Sequence, residues 1–202
     1  MKTSCIKPTL LLLVACAVAK ADVRLASLFR DHCVLQRDKA VPIWGWADAG
    51  EKLTVAFGDQ TVATEADAEG RWQVRLAPLR AALLGAPLVV QGRNTLTVSD
   101  VVVGEVWICS GQSNMNRSVK SSLNAEAEIA AGNYPLIRQF RFPRRPSPVP
   151  RDEVDGEWQP ASPATVGDFT AVGYYFARDL FRDLGVPVGL IHTSYGGTPV
   201  EA

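Results

Sequence analysis

From Val101 to Cys109 the chain is apolar at every position except Gly104 and Glu105, and the run ends on a small, polar turn, Ser110-Gly111-Gln112-Ser113. A strand that is greasy on both faces belongs inside a parallel sheet covered by helices. The segments that follow agree with that setting. A helix is expected around Ser122 to Ala131, with Glu126 and Glu128 in the early turns where the helix dipole favours acids. Leu136 to Phe142 reads as the next strand. Thr170 to Leu184 is the strongest helix, because Val172, Phe176, Leu180 and Leu184 recur at helical spacing and Gly185 follows in the stop position. Val188 to Thr193 reads as a third buried strand. Between 143 and 163 lie six of the thirteen prolines, so that stretch is expected to be loop. Strand and helix in alternation predict an α/β sheet with right-handed crossovers.

The preceding residues have a different pattern. Val41 to Trp46, Leu53 to Phe57, Thr61 to Thr64, Trp72 to Leu76, Leu88 to Gln91 and Thr95 to Val98 are short strand candidates separated by glycine-containing turns. Such spacing, rich in β-branched and aromatic residues, predicts an antiparallel sandwich. Arg71, Gln73 and Arg75 alternate with Trp72, Val74 and Leu76, giving one wet and one buried face. The fold class expected is therefore mixed: a β-sandwich-like domain over 22–100, then an incomplete α/β parallel-sheet domain over 101–202.

Residues 1–21 read as an export signal. Lys2 and Lys7 precede the apolar stretch Leu10 to Ala19, and Ala19-Lys20-Ala21 supplies the small residues for cleavage before Asp22. Leu13-Val14-Ala15-Cys16 also resembles a bacterial lipobox, but Ala17 to Ala19 prolong the greasy segment where lipoproteins turn polar. The expected location is periplasmic or secreted. No apolar run reaches the roughly 18 residues needed to span a bilayer. With 21 basic and 21 acidic side chains, the chain shows no footprint of nucleic-acid binding. Cleavage would remove Cys5 and Cys16 and leave Cys33 and Cys109, too few for a disulfide framework. Cys109, inside an apolar strand, is expected to be a buried free thiol.

Ligands of α/β sheets gather beyond the carboxyl ends of the strands. Two segments fall there: Ser110-Gly111-Gln112-Ser113-Asn114-Met115 and Tyr195-Gly196-Gly197-Thr198. A serine among small residues can expose its hydroxyl beside a backbone N–H, and paired glycines free further N–H groups to approach a substrate. Acyl transfer needs both a nucleophile and donors for the oxyanion. A Ser-Gly turn after a strand is also, by itself, an ordinary turn.

Gly104-Glu105-Val106-Trp107-Ile108-Cys109-Ser110-Gly111-Gln112-Ser113-Asn114-Met115 resembles the nucleophile block of the sialate O-acetylesterase family, within the SGNH-type hydrolases. Asp31 to Arg37, Val41 to Trp46, Asp168 to Phe176 and Gly189 to Ala202 resemble further blocks of that family, in order. The resemblance implies a metal-free and cofactor-free esterase that removes O-acetyl groups from sialic acid or related sugars. It implies Ser113 as nucleophile, with its own N–H and that of Gly196 or Gly197 in the oxyanion hole. The serine would form an acetyl ester that water resolves. The motif is not the α/β-hydrolase elbow, which would need glycine where Met115 stands.

The family's histidine base belongs to a D-x-x-H block, and this chain contains none: Phe29 stands three residues before His32, and Gly189 three before His192. Removing a triad histidine typically costs about 10⁴ to 10⁶ in kcat. The expectation is thus the N-terminal part of a longer pattern, almost inert alone, with a complementing C-terminal polypeptide as a possible partner. His192, at a strand end, reads as a space-filling residue before it reads as a base. Arg144, Arg145 and Arg151 could meet a sialate carboxylate but sit in the proline-rich loop. Asp168 reads as the cap of the strongest helix. The competing function is a non-catalytic exported carbohydrate-binding or interaction protein that uses the sandwich.

Overall fold

The computed structural model describes residues 22–142 and 147–197. The export signal with Cys5 and Cys16, and the Arg144–Arg145 pair, lie outside the described residues. In chain order the strands are β1 (Arg24–Leu25), β2 (Val34–Gln36), β3 (Val41–Trp46), β4 (Lys52–Phe57), β5 (Gln60–Glu65), β6 (Arg71–Leu76), β7 (Ala82–Gln91) and β8 (Thr95–Cys109). After them come α1 (Ser113–Asn116), α2 (Ala125–Ala130), β9 (Tyr134–Arg141), β10 (Glu157–Ala161), α3 (Ala171–Leu184) and β11 (Val188–His192). The molecule is mostly β, with few helices.

Two sheets form. One is β1-β3-β6; the other is a mixed sheet in the order β10-β9-β11-β8-β7-β4-β5, with β2 alongside β8. Period-two patterning drives their packing. Val41 and Ile43 of β3 and Trp72, Val74 and Leu76 of β6 are buried, as are Leu53, Val55 and Phe57 of β4. They meet in one apolar core with Leu88, Val90, Val98 and Val101. As expected, Arg71, Gln73 and Arg75 face water. A second core forms where α3 lies on the parallel strands: Tyr174 and Ala177 pack with Ile137, Val188, Leu190 and Phe169.

β8 joins the two patterns. It runs without interruption through position 100, where the sequence suggested a change of domain. Its first half pairs antiparallel with β7 and its last five residues pair parallel with β11, which in turn pairs parallel with β9. Asp100 adopts a left-handed φ of 53°, and the β7 register shifts twice nearby, so the strand bends without stopping. Arg138, almost fully buried on β9, holds the bend. Its Nη1 donates to the carbonyls of His32 (3.0 Å) and Asp100 (2.6 Å), and its Nη2 pairs with Asp100 Oδ2 at 2.9 Å.

Four expectations need correction. β8 is not buried on both faces to its end: Trp107 is 44% and Ile108 70% exposed. On one edge of that half lies β11. On the other, β2 ends at Gln36, whose Oε1 accepts the Val106 N–H at 2.9 Å, and no described strand follows. The proline-rich stretch is not all loop, since β10 pairs antiparallel with β9 along the outer edge of the sheet. Pro160 is tolerated there because an edge strand has one row of N–H groups without ladder partners, and the register slips between Pro160 and Ala161. The helix expected over 122–131 shrinks to six residues. Finally, the cap of α3 is Thr170, whose side chain accepts from Gly173 N, and not Asp168. Gly185 ends α3 at φ 64°, as its position predicted.

Candidate active site

The parallel pairing of β8 and β11 fixes the site. His192 lies opposite Cys109, and the register continues past both strand ends: Thr193 N donates to Cys109 O, and Tyr195 N to Gly111 O, each at 3.0 Å. The serine turn and the double-glycine turn therefore run side by side. Gly111 has φ 127°, a conformation open to glycine, which lets the chain turn sharply out of β8. Ser113 is exposed and opens α1, so its N–H has no carbonyl one turn earlier to bind.

The two glycines are not equivalent. A Cβ placed on Gly196 would stand 3.8 Å from Ser113 Cα, 3.9 Å from Ser113 Oγ and 3.2 Å from Asn116 Nδ2. Gly197 has open space around that position but a φ of 85°. Gly196 thus abuts the serine, whereas Gly197 supplies the conformation of the turn. Thr198 lies outside the described residues.

Behind the serine, the segment 115–119 is tied to the start of α3. Thr170 Oγ1 donates to Met115 O at 2.5 Å, and Thr170 N donates to the buried Gln139 Oε1 at 2.9 Å. Ala171 N donates to Arg117 O at 2.8 Å and Val119 N to Phe169 O at 3.1 Å. A cavity of about 760 Å³ opens beside this assembly, lined in part by Asn116, Ser118, His192 and Ser194. His192 Nε2 and the buried Ser194 Oγ are 2.6 Å apart, so the ring is held at the cavity wall.

Charge is unevenly placed around this cavity. Lys120 Nζ lies 2.6 Å from Asp168 Oδ1, and Arg141 Nη1 lies 3.2 Å from Asp168 Oδ2. The Lys120 hydrogen bond is the main reason the Asp168 carboxyl sits below its ordinary range, against the opposing effect of burial, with Arg141 adding to it. Arg30 also lines the cavity, and its guanidinium has no partner among the described residues. Arg151 does not line it; its Nε donates to Ser147 Oγ at 3.2 Å. Both described cysteines are buried free thiols, and burial pushes Cys109 up to about 11 and Cys33 up to about 12. Among the described residues, no three His, Cys, Asp or Glu side chains gather as metal ligands.

The sequence missed Asn116, Thr170, Gln139 and Arg30. Asn116 was detectable in principle, three residues after Ser113 on the same helical turn. The other three reach the site through tertiary contacts that carry no local signal.

No model of a known protein family matches the chain. It is 32% identical over 217 residues to sialate O-acetylesterase of Rattus norvegicus, covering 95% of this chain and 40% of that protein. The Homo sapiens sialate O-acetylesterase gives 32% identity over 219 residues with the same coverage. A crystal structure of a carbohydrate acetylesterase from Xanthomonas citri superposes with a TM-score of 0.86 at 40% identity, covering 90% of this chain and 42% of that one. The chain therefore spans about two fifths of the length of the relatives it matches. Over that span, in which the serine and double-glycine turns lie side by side, the chain is similar to sialate O-acetylesterases and to a solved carbohydrate acetylesterase.

Proposed function

We propose that this chain carries the nucleophile half of a serine-dependent carbohydrate O-acetylesterase. The observation that carries the reading is the contact between Gly196 and Ser113 at the carboxyl ends of adjacent parallel strands. Ser113 Oγ attacks the acetyl carbonyl while its proton passes to a base. The developing oxyanion takes hydrogen bonds from the N–H groups of Ser113 and Gly196. The sugar oxygen leaves with the proton, and water then hydrolyses the acetyl-serine to acetate. Gly197 contributes the shape of the turn.

The sugar occupies the cavity walled by Asn116, His192 and Ser194. Arg30 supports a carboxylate-bearing sugar such as a sialate, because a guanidinium with no partner among the described residues has N–H groups ready to donate to a carboxylate. The general base comes from a D-x-x-H block outside these 202 residues. The segment that carries it would cover the edge of β8 that no described strand borders and the exposed Trp107 and Ile108. In this reading residues 1–21 direct export, so the protein works in the periplasm or outside the cell.

A serine-directed fluorophosphonate probe tests the proposal. The chain alone should label weakly or not at all. With a polypeptide bearing the D-x-x-H block of a family member, labelling should rise and an acetyl-ester chromogen should turn over. Ser113→Ala should abolish both; turnover equal to the parent's would remove Ser113 from the mechanism.

A further inference from the structure

Away from the residues of the Ser113 site, the outer face of the β1-β3-β6 sheet has the makings of a second site. Alternation along β3 sends Val41, Ile43 and Gly45 inward and leaves Trp44 and Trp46 half-buried on the outside. The antiparallel register sets Gln73 beside Trp44 and Arg71 beside Trp46. Thr64 and Glu65, at the end of β5, close one side of a groove of about 530 Å³. That volume lies within the roughly 300–1,000 Å³ of small-molecule sites.

Both indoles are braced. Phe29 meets Trp44 edge-on with ring centres 4.7 Å apart, and the Arg24 guanidinium stands 5.4 Å from the centre of the Trp46 ring. Braced aromatic rings lose little freedom when a ligand arrives. Beside them are polar groups with no partner among the described residues: the Gln73 amide, the Glu65 carboxylate and the indole N–H groups of Trp44 and Trp46. Trp72 borders the same groove, and its buried indole N–H also has no partner. Aromatic faces flanked by free donors and acceptors match a pyranose, whose C–H face is apolar and whose rim carries hydroxyls.

The sign of the charge narrows the ligand further. Glu65, Asp67 and Asp152 line the groove with one lining guanidinium, that of Arg71, which already lies 3.8 Å from Asp152, and the Arg24 guanidinium over Trp46 is paired with Glu153 at 3.4 Å. An excess of carboxylates repels sialates and uronates. We propose that this groove binds neutral, hydroxyl-rich glycan chains, and it shares no lining residue with the cavity beside the Ser113 turn. It would keep the protein on a polysaccharide surface while chemistry proceeds elsewhere.

The test titrates the full chain with cellohexaose, xylohexaose and mannohexaose, and with an α2,8-linked sialic acid hexamer, by calorimetry and tryptophan fluorescence. At least one neutral hexamer should bind saturably, and the sialic acid hexamer should bind more weakly than it. Trp46→Ala should weaken binding by about tenfold. Gln73→Ala, on the exposed face, should weaken it by about threefold with the melting temperature unchanged, and decides the matter if Trp46→Ala does not fold. Ser113→Ala should bind like the parent, which separates this site from the esterase reading. No saturable binding of any neutral hexamer, equal or tighter binding of the acidic one, or parental affinity in Gln73→Ala would overturn the proposal.

Discussion

Thr170 Oγ1 donates a 2.5 Å hydrogen bond to the carbonyl of Met115, so the residue that caps α3 also anchors the turn carrying Ser113. Thr170 is fully buried, so its hydroxyl is fixed in place for this bond. Thr170→Val keeps the shape and removes the donor. We expect a loss of about 1–3 kcal/mol in urea unfolding, together with weaker fluorophosphonate labelling of the complemented protein. Parental stability in the valine variant would show that the bond contributes nothing.

The two glycines of the second turn should fail in different ways. Gly196→Ala pushes a methyl to 3.2 Å from Asn116 Nδ2 and into contact with Ser113, so turnover of the complemented protein should fall while stability changes little. Gly197→Ala has space but must hold φ 85°, costing about 1–2 kcal/mol of stability. Thermal melts and chromogen assays on the pair separate the two roles; identical behaviour would refute the division.

Asp168 should make stability sensitive to acid. Its folded carboxyl lies below the ordinary value, so the ionised form is favoured by folding and its contribution is complete above the unfolded value of about 3.9. That contribution disappears as pH falls through the lower folded value. The melting temperatures of the parent and Asp168→Asn should therefore differ at pH 7 and converge below about pH 4. The difference should be modest, because the side chain is 43% exposed and water screens the pair.

Arg138 offers a sharper test of what holds the bend in β8. Replacing it with methionine leaves two carbonyls and the Asp100 carboxylate without their guanidinium. The expected cost is about 1–3 kcal/mol by denaturant titration, for the lost charged hydrogen bonds to the two carbonyls, since Asp100 is 41% exposed and keeps His32 as a partner. A variant within experimental error of the parent would mean that the β7 pairing alone maintains the bend.

The thiols of Cys33 and Cys109 should resist alkylation. Burial has moved them up to about 12 and about 11, so almost no thiolate exists at pH 8, and neither side chain is accessible. Iodoacetamide treatment followed by peptide mapping should modify both only after denaturation. Modification of either in the folded protein contradicts the described burial.

Elements governed by local rules were readable in advance. Val41–Trp46 and the wet-and-dry alternation of Arg71–Leu76 follow from the two-residue period of a strand, and Gly185 ends α3 where the sequence put it. The change of pattern after Asp100 suggested a domain boundary; Asp100 adopts a left-handed φ there, but pairing with β7 and the grip of Arg138 carry the strand onward. Glu157–Ala161 looked like loop because of Pro160, yet an edge position needs only one row of N–H donors. At the candidate site, the motifs pointed to the Ser113 turn and the glycine pair as segments at strand ends. Which glycine lies against Ser113 was not legible, since it depends on how two parallel strands are registered.

The rim at the end of β8 that no described strand covers has a bearing on handling as well as on assembly. Backbone groups beside Trp107 and Ile108 can take up a strand from any neighbour, including another molecule of the same kind. Crowding a solution of this polypeptide would then convert dispersed molecules into stacked ones, and dilution or a short blocking peptide would be the natural remedy.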